Sequence, residues 1–193
     1  MDKIDIIKEG IANRRSIYTN MFTGESIDDK IIEEMLELAN LAPTHRLTQP
    51  WRFNIYKGEA IEKLSFELAN TYKNESEKKG TFDLEKYQRI KTKMDNCSHV
   101  ISIGMKRNEI VPEYEEIAAV ACAVQNMWIL ASSYKVGCYW SSLAHENYDV
   151  LKPYFDLEQN DKLMGFLMIG KYKLDKWPIT RRDDIKTKIK WKN

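Results

Sequence analysis

The stretch PEYEEIAAVACAVQNMWILASS, Pro112 to Ser133, decides how the rest of the chain is arranged. Pro112 stands where a helix tolerates proline, and Glu113, Glu115 and Glu116 suit the positive end of the helix dipole. From Ala118 to Ser133 the segment is apolar on nearly every side, so it must be surrounded by protein. Ala118, Ala119, Ala121, Cys122 and Ala123 allow another element to approach closely, and Met127, Trp128 and Leu130 supply bulk. Two readings follow: the central core helix of one subunit, or a helix that also lines a dimer interface.

Working outward, Gly137 ends the helical pattern. Cys138 to Trp140 then reads as a short strand, Asp149 to Phe155 as a short helix and Lys162 to Ile169 as a buried strand. Upstream, Val100 to Met105 is strand-like, and Leu84, Tyr87, Lys91 and Met94 mark a helix before it. The stretch Lys73 to Gly80 is charged and aperiodic and reads as a surface excursion, either a lid or a simple loop. Trp51 to Tyr56 alternates as a strand, and Gly58 separates it from a helix carrying Ile61, Leu64, Leu68 and Tyr72 on one face. Ser26 with Asp29 forms a capping box for a helix whose apolar face is Ile27, Ile31, Met35, Leu38 and Ala42, closed by Pro43. Ile4, Ile7 and Ile11 define a short amphipathic helix that delivers Arg14-Arg15-Ser16 at its end. Helices and strands thus intermix around one central sheet, with no repeat and no linker, predicting a single domain over residues 1–193.

The composition excludes several functions. Thirty Lys plus Arg against 29 Asp plus Glu leave a net charge of +1, too little to hold a polyanion, so no nucleic-acid partner is expected. In the tail from Arg181 to Lys192, basic residues are mixed with Asp183, Asp184 and apolar residues. Cys97, Cys122 and Cys138 are dispersed and suggest neither disulfides nor zinc, which points to a reducing compartment. Met1 to Gly10 mixes charges among its isoleucines, unlike a signal peptide, and the apolar run Ile117 to Ala131 falls short of the ~20 residues of a membrane span. A cytoplasmic location with no membrane partner is expected. His45, His99 and His145 make no metal-ligand spacing, and no metal is expected. Dinucleotide, P-loop, hydrolase-elbow and zincin signatures are absent.

Two segments remain that carry chemistry. Arg14-Arg15-Ser16 offers planar cationic donors and a hydroxyl, suited to a phosphate, although a surface salt-bridge pair is the plainer reading of the same residues. The loop Ala42-Pro43-Thr44-His45-Arg46-Leu47-Thr48-Gln49-Pro50-Trp51 places two prolines, two hydroxyls, an imidazole and an amide between a helix and a strand, and can present donors to a heterocycle edge.

These segments, with Ala123 to Met127 and the Gly137-Cys138-Tyr139-Trp140 turn, resemble the FMN-dependent nitroreductase family, in its compact single-domain branch, over nearly the whole chain. The resemblance implies an α+β fold with a central mixed, mainly antiparallel sheet flanked by helices. It also implies an intertwined homodimer with a C-terminal extension onto the partner and FMN at the interface. Arg14, Arg15 and Ser16 would then hold the phosphate and ribityl region, joined by Arg182 and Arg181. Pro43, Thr44 and His45 would reach the ring from the other subunit, with Gln49 supporting that loop. Trp140, Ser141 and Ser142 would pass near N5 through backbone groups. No catalytic side chain is implied, because the cofactor carries the chemistry. NADPH or NADH would donate hydride to small electron-poor acceptors such as nitroaromatics or quinones in ping-pong fashion. An FMN reservoir or sensor, and a purely structural helical dimer, are the competing readings.

The sequence departs from the family at three places. Tyr18 stands where a basic residue is common, leaving Arg46 as a candidate for the charge facing N1 and O2 of the ring. Leu47 replaces a frequent asparagine, and Ser141-Ser142 a more glycine-rich turn. Tyr72, Phe82, Trp128 and Tyr139 could shape a pocket, although aromatics at helical spacing commonly belong to a core.

Overall fold

The computed structural model of the chain describes residues 2–192. The strand His99–Met105 (β2) is buried at every position, the state of a strand covered on both faces. Trp51–Lys57 (β1) pairs with it antiparallel on one side and Lys162–Gly170 (β4) on the other; Gly137–Ser141 (β3) closes the sheet in the order β1-β2-β4-β3. Because side chains alternate across a strand, the sheet feeds two cores. Ile101, Ile103, Met105, Leu167, Ile169 and Cys138 face the helices Asp29–Ala39 (α2) and Glu113–Ser133 (α5). Val100, Phe166 and Met168 face Glu59–Lys78 (α3), Leu84–Thr92 (α4) and the short Tyr148–Leu151 (α6).

All four strands are antiparallel. The expected mixed character is confined to a single parallel bridge, Ser16 beside Cys138, where the Ile17 N–H donates to the Cys138 carbonyl at 3.0 Å. The chain leaving the arginine pair therefore runs along the open edge of β3. A register shift falls between Ile103 and Gly104 on β2, where β4 carries Gly165 at φ 115°.

The long helix is a core helix on one side. Ala119, Val120, Ala123, Val124, Met127 and Ala131 are buried, whereas Ala118, Cys122 and Gln125 lie exposed on the other side. The helix reaches 21 residues, long and apolar enough by composition to cross a membrane, because Glu113 to Glu116 and Ser132 and Ser133 extend the apolar run at its two ends; its core-facing side explains its apolarity. Glu116 is buried near its start, accepting from Arg107 Nη1 at 2.6 Å and from the Asn108 N–H at 3.0 Å.

Two expectations need correction. The stretch from Lys73 to Gly80 is mostly helix, since α3 continues to Lys78. Tyr72 and Ser76 turn inward at helical spacing, the Ser76 hydroxyl donates to the Tyr72 carbonyl at 2.6 Å, and Lys73 pairs with Glu77 at 3.9 Å. Paired surface charges can support a helix without an apolar stripe. At α2 the cap is Asp28, whose carboxylate accepts from the Lys30 N–H at 3.0 Å, in place of the Ser26–Asp29 box. The helix thus starts two residues later than expected, and its buried face runs through Ile32, Met35 and Ala39, with Leu38 exposed.

The first helix, Lys3–Asn13 (α1), forms as its isoleucine spacing predicts, yet it buries no residue: Ile4, Ile7 and Ile11 are 59%, 63% and 55% exposed. The tail beyond β4 behaves alike, with Ile179 and Trp191 exposed. Among the described residues these apolar side chains find no cover within one chain.

Candidate functional site

The arginine pair sits where α1 stops. The Arg14 N–H still bonds the Gly10 carbonyl at 3.2 Å, but its backbone has already turned extended. The Arg14 guanidinium lies over the Trp128 ring, 4.8 Å from its centroid. Arg15 is pinned by its own turn and by the tail: Nη1 donates to the Ala12 carbonyl at 2.5 Å and to the Arg14 carbonyl at 2.9 Å, and Nε to the Pro178 carbonyl at 3.1 Å. Trp128 Nε1 donates to the Arg15 carbonyl at 3.1 Å.

Burial, and then the charges of Arg15 and Arg182, push the Arg14 pKa below the usual arginine value. Among the described residues the only arginine in an ion pair with a carboxylate is Arg107; Arg14, Arg15 and Arg182 have no such partner. Guanidinium groups gathered without a counter-charge make a site for an anion, and their planar donors match phosphate oxygens. Arg181 contributes its carbonyl, which accepts from Arg182 Nη1 at 3.2 Å.

Ser16 sits beside Cys138 on β3, half-buried. From there, at about 3.3 Å per residue, Ser141 stands about 10 Å farther along the edge. Trp140 is fixed by donation from Nε1 to the Met164 carbonyl at 3.0 Å, Ser141 is buried and Ser142 exposed. Tyr18 packs its ring against Tyr139, centroids 4.8 Å apart, with the Lys93 ammonium 5.4 Å from the Tyr139 centroid.

The proline loop stands apart from this cluster. Buried Ala42 and Pro50 anchor its ends, and Thr44 Oγ1 braces it, 3.0 Å from Thr48 Oγ1 and accepting from the Gln49 N–H at 3.2 Å. Gln49 supports the loop through its backbone, its carbonyl also accepting from Arg52 Nη1 at 3.1 Å. Arg46, Leu47 and Gln49 adopt left-handed φ values of 51°, 54° and 45°, conformations that cost non-glycine residues energy and concentrate at functional loops. Pro43, His45 and Leu47 are exposed, and His45 Nδ1 contacts the Glu115 carboxylate on the first turn of α5.

Both parts of the candidate site are therefore referenced to one helix. Glu115 holds the loop at its start and Trp128 holds the arginines near its end, thirteen residues and about 20 Å apart at 1.5 Å per residue. One chain brings together Arg14, Arg15, Ser16, Arg182 and the edge of β3; it does not bring Pro43, Thr44, His45 and Gln49 to them.

With this geometry in hand, the sequence profile of the nitroreductase family matches residues 11–171. The chain belongs to the nitroreductase family. It is 29% identical over 167 residues to YfhC of Bacillus subtilis, a protein provisionally named an NAD(P)H nitroreductase, with 86% of this chain and 84% of that one covered. A nitroreductase-like protein from Bacillus cereus superposes with a TM-score of 0.78 at 26% identity, covering 96% and 95% of the two chains. A Desulfovibrio desulfuricans structure solved in complex with FMN shares the fold, at a TM-score of 0.73, 20% identity and coverage of 97% and 96%.

As a nitroreductase the chain keeps the motif order read from its sequence, but two positioning contacts were not legible there. In the sequence Trp128 reads as helix bulk or as a pocket or core aromatic, and Glu115 as a partner of the helix dipole. A signal existed for the first: an indole N–H on an apolar helix requires an acceptor.

Proposed function

We propose that this nitroreductase is an FMN-dependent oxidoreductase that passes hydride from NADPH or NADH to small electron-poor acceptors such as nitroaromatics or quinones, working as a homodimer. The observation that carries the reading is the convergence of Arg14, Arg15 and Arg182 without a carboxylate partner, at one end of an accessible strand edge. That arrangement fits a flavin mononucleotide: the arginines and Ser16 hold the phosphate, and Trp140, Ser141 and Ser142 run along the ring. Pro43, Thr44 and His45 reach the ring from the partner subunit, which accounts for their separation from the arginines within one chain. The uncovered isoleucines of α1, the exposed strip of α5 and the apolar tail supply the surface that a second copy would bury.

Bound there, FMN supplies the two-electron chemistry that no side chain of the site offers. The chain's own work is positional. The arginines would hold one end of the cofactor, the edge of β3 would orient the other, and the braced loop would limit access to the ring and position donor and acceptor in turn. The names of the relatives, which cite NAD(P)H, support the choice of donor.

The purified protein is expected to be yellow. Anaerobic addition of NADPH or NADH should bleach its visible absorbance rapidly, and adding a quinone or nitroaromatic should restore it, with parallel double-reciprocal plots in steady state. A yellow protein that resists bleaching would support an FMN reservoir or sensor instead, and a protein that stays colourless after incubation with FMN would contradict both.

A further inference from the structure

We propose that Trp128 is the positioning residue of the anion cradle: one indole fixes both arginines, its ring face under Arg14 and its N–H on the backbone of Arg15. The inference rests on the phosphate-site reading above and adds a residue outside the motif that carries it.

The geometry makes the case. The Arg14 guanidinium lies 4.8 Å from the Trp128 centroid, within the range where a cation is attracted to the negative face of an aromatic ring. Nε1, at the rim of the same ring system, donates to the Arg15 carbonyl at 3.1 Å. That bond ties the extended segment after α1 to the central helix, which is anchored in the core through Val124, Met127 and Ala131. Like charges at Arg14, Arg15 and Arg182 repel one another, and Arg14 has no carboxylate to hold it. An aromatic face orients a guanidinium without neutralising it, whereas a carboxylate would compete with the phosphate.

Packing alone does not explain an indole here. Trp128 is only partly buried and stands at the border of the core. Leucine would fill the apolar part of that space, and phenylalanine would keep a face for Arg14, but neither has the N–H that reaches Arg15.

The test compares FMN with riboflavin, which has the same ring and no phosphate, by calorimetric titration of full-length protein stripped of flavin. Trp128→Leu is expected to weaken FMN about tenfold while changing riboflavin less than twofold. Trp128→Phe, the milder change should the leucine variant fold poorly, is expected to fall between wild type and Trp128→Leu for FMN and to leave riboflavin unchanged. Equal weakening of both flavins, or undiminished FMN affinity in both variants, would overturn the proposal, the first by making Trp128 a packing residue. An Arg14→Ala control separates the two levels of argument. If it leaves the preference for FMN over riboflavin intact, the phosphate site itself is wrong and this inference goes with it; if it lowers that preference while the Trp128 variants do not, only the role of Trp128 fails.

Discussion

An Arg14→Ala/Arg15→Ala protein is expected to purify colourless and to bind FMN about a thousandfold more weakly than the wild type, with riboflavin affinity nearly unchanged. The magnitude follows from charge-assisted hydrogen bonds, which contribute about 1.5–3 kcal/mol each, so that losing one from each arginine removes about 4 kcal/mol. The selectivity follows from position. Both side chains lie at the end of α1, on the Trp128 side of the site, about 10 Å from the part of β3 proposed to run along the ring. The fold should survive the change with a modest loss of stability, because neither arginine pairs with a carboxylate and each is partly exposed, while the Arg15 bonds to the Ala12, Arg14 and Pro178 carbonyls and the Arg14 contact with Trp128 are lost. Removing two mutually repelling cations offsets part of that loss in the ligand-free chain. A cooperative melt with a midpoint modestly below that of wild type without ligand, with colour lost, is the expected combination. Titration with the two flavins and a melting curve together check it.

The second large effect concerns stability at the site's other end. Gly165 has φ 115°, and a Cβ placed on it would lie 2.5 Å from the Ser141 carbonyl oxygen and 3.1 Å from Trp140 Nε1. Those atoms belong to β3 where Trp140 and Ser141 pass along the proposed ring position. The neighbour is backbone, so it cannot rotate aside. Gly165→Ala is therefore expected to cost about 3 kcal/mol or more, the combined scale of a strained backbone and an overpacked contact. Gly58 offers a measured contrast: it too has a positive φ, 53°, but nothing lies within 4 Å of its would-be Cβ. Gly58→Ala should show the backbone cost alone, about 1–3 kcal/mol and smaller than that at Gly165. Urea unfolding of both variants, compared by midpoint at unchanged slope, tests the difference. The Gly165 variant should also lose FMN because β3 is displaced, whereas the Gly58 variant should keep it.

Much of this architecture was legible in the residues, and the exceptions have physical causes. β2 was readable because a strand covered on both faces must be apolar, and α5 because an oily helix needs partners on many sides. The C-terminal half of α3 was not, since Lys73, Glu75, Glu77 and Lys78 satisfy one another on the surface while only Tyr72 and Ser76 point inward. The start of α2 misled because Ser26, Asp28 and Asp29 are all competent caps, and tertiary packing of Ile27 and Ile32 chooses among them. At the site, Arg14-Arg15-Ser16 and the two-proline loop could be recognised as chemical pieces, but their separation along α5 is a matter of three-dimensional distance that spacing in sequence does not encode. At Tyr18, a departure from the family pattern, the structure places a tilted Tyr18–Tyr139 pair with Lys93 over the Tyr139 ring, while Arg46 stays on the loop.

Whether each flavin is enclosed by two chains can be measured directly with hybrid dimers. One chain would carry Arg14→Ala/Arg15→Ala and the other alanines at Pro43, Thr44 and His45, with different tags so that only the mixed species is isolated. If arginines and loop meet across the interface, one of the two sites in each hybrid is assembled wholly from unaltered residues. The hybrid should then bind about one FMN per dimer with wild-type affinity, although neither parent retains it. Hybrids as colourless as the parents would show that loop and arginines serve the same cofactor from a single chain, contradicting the central claim.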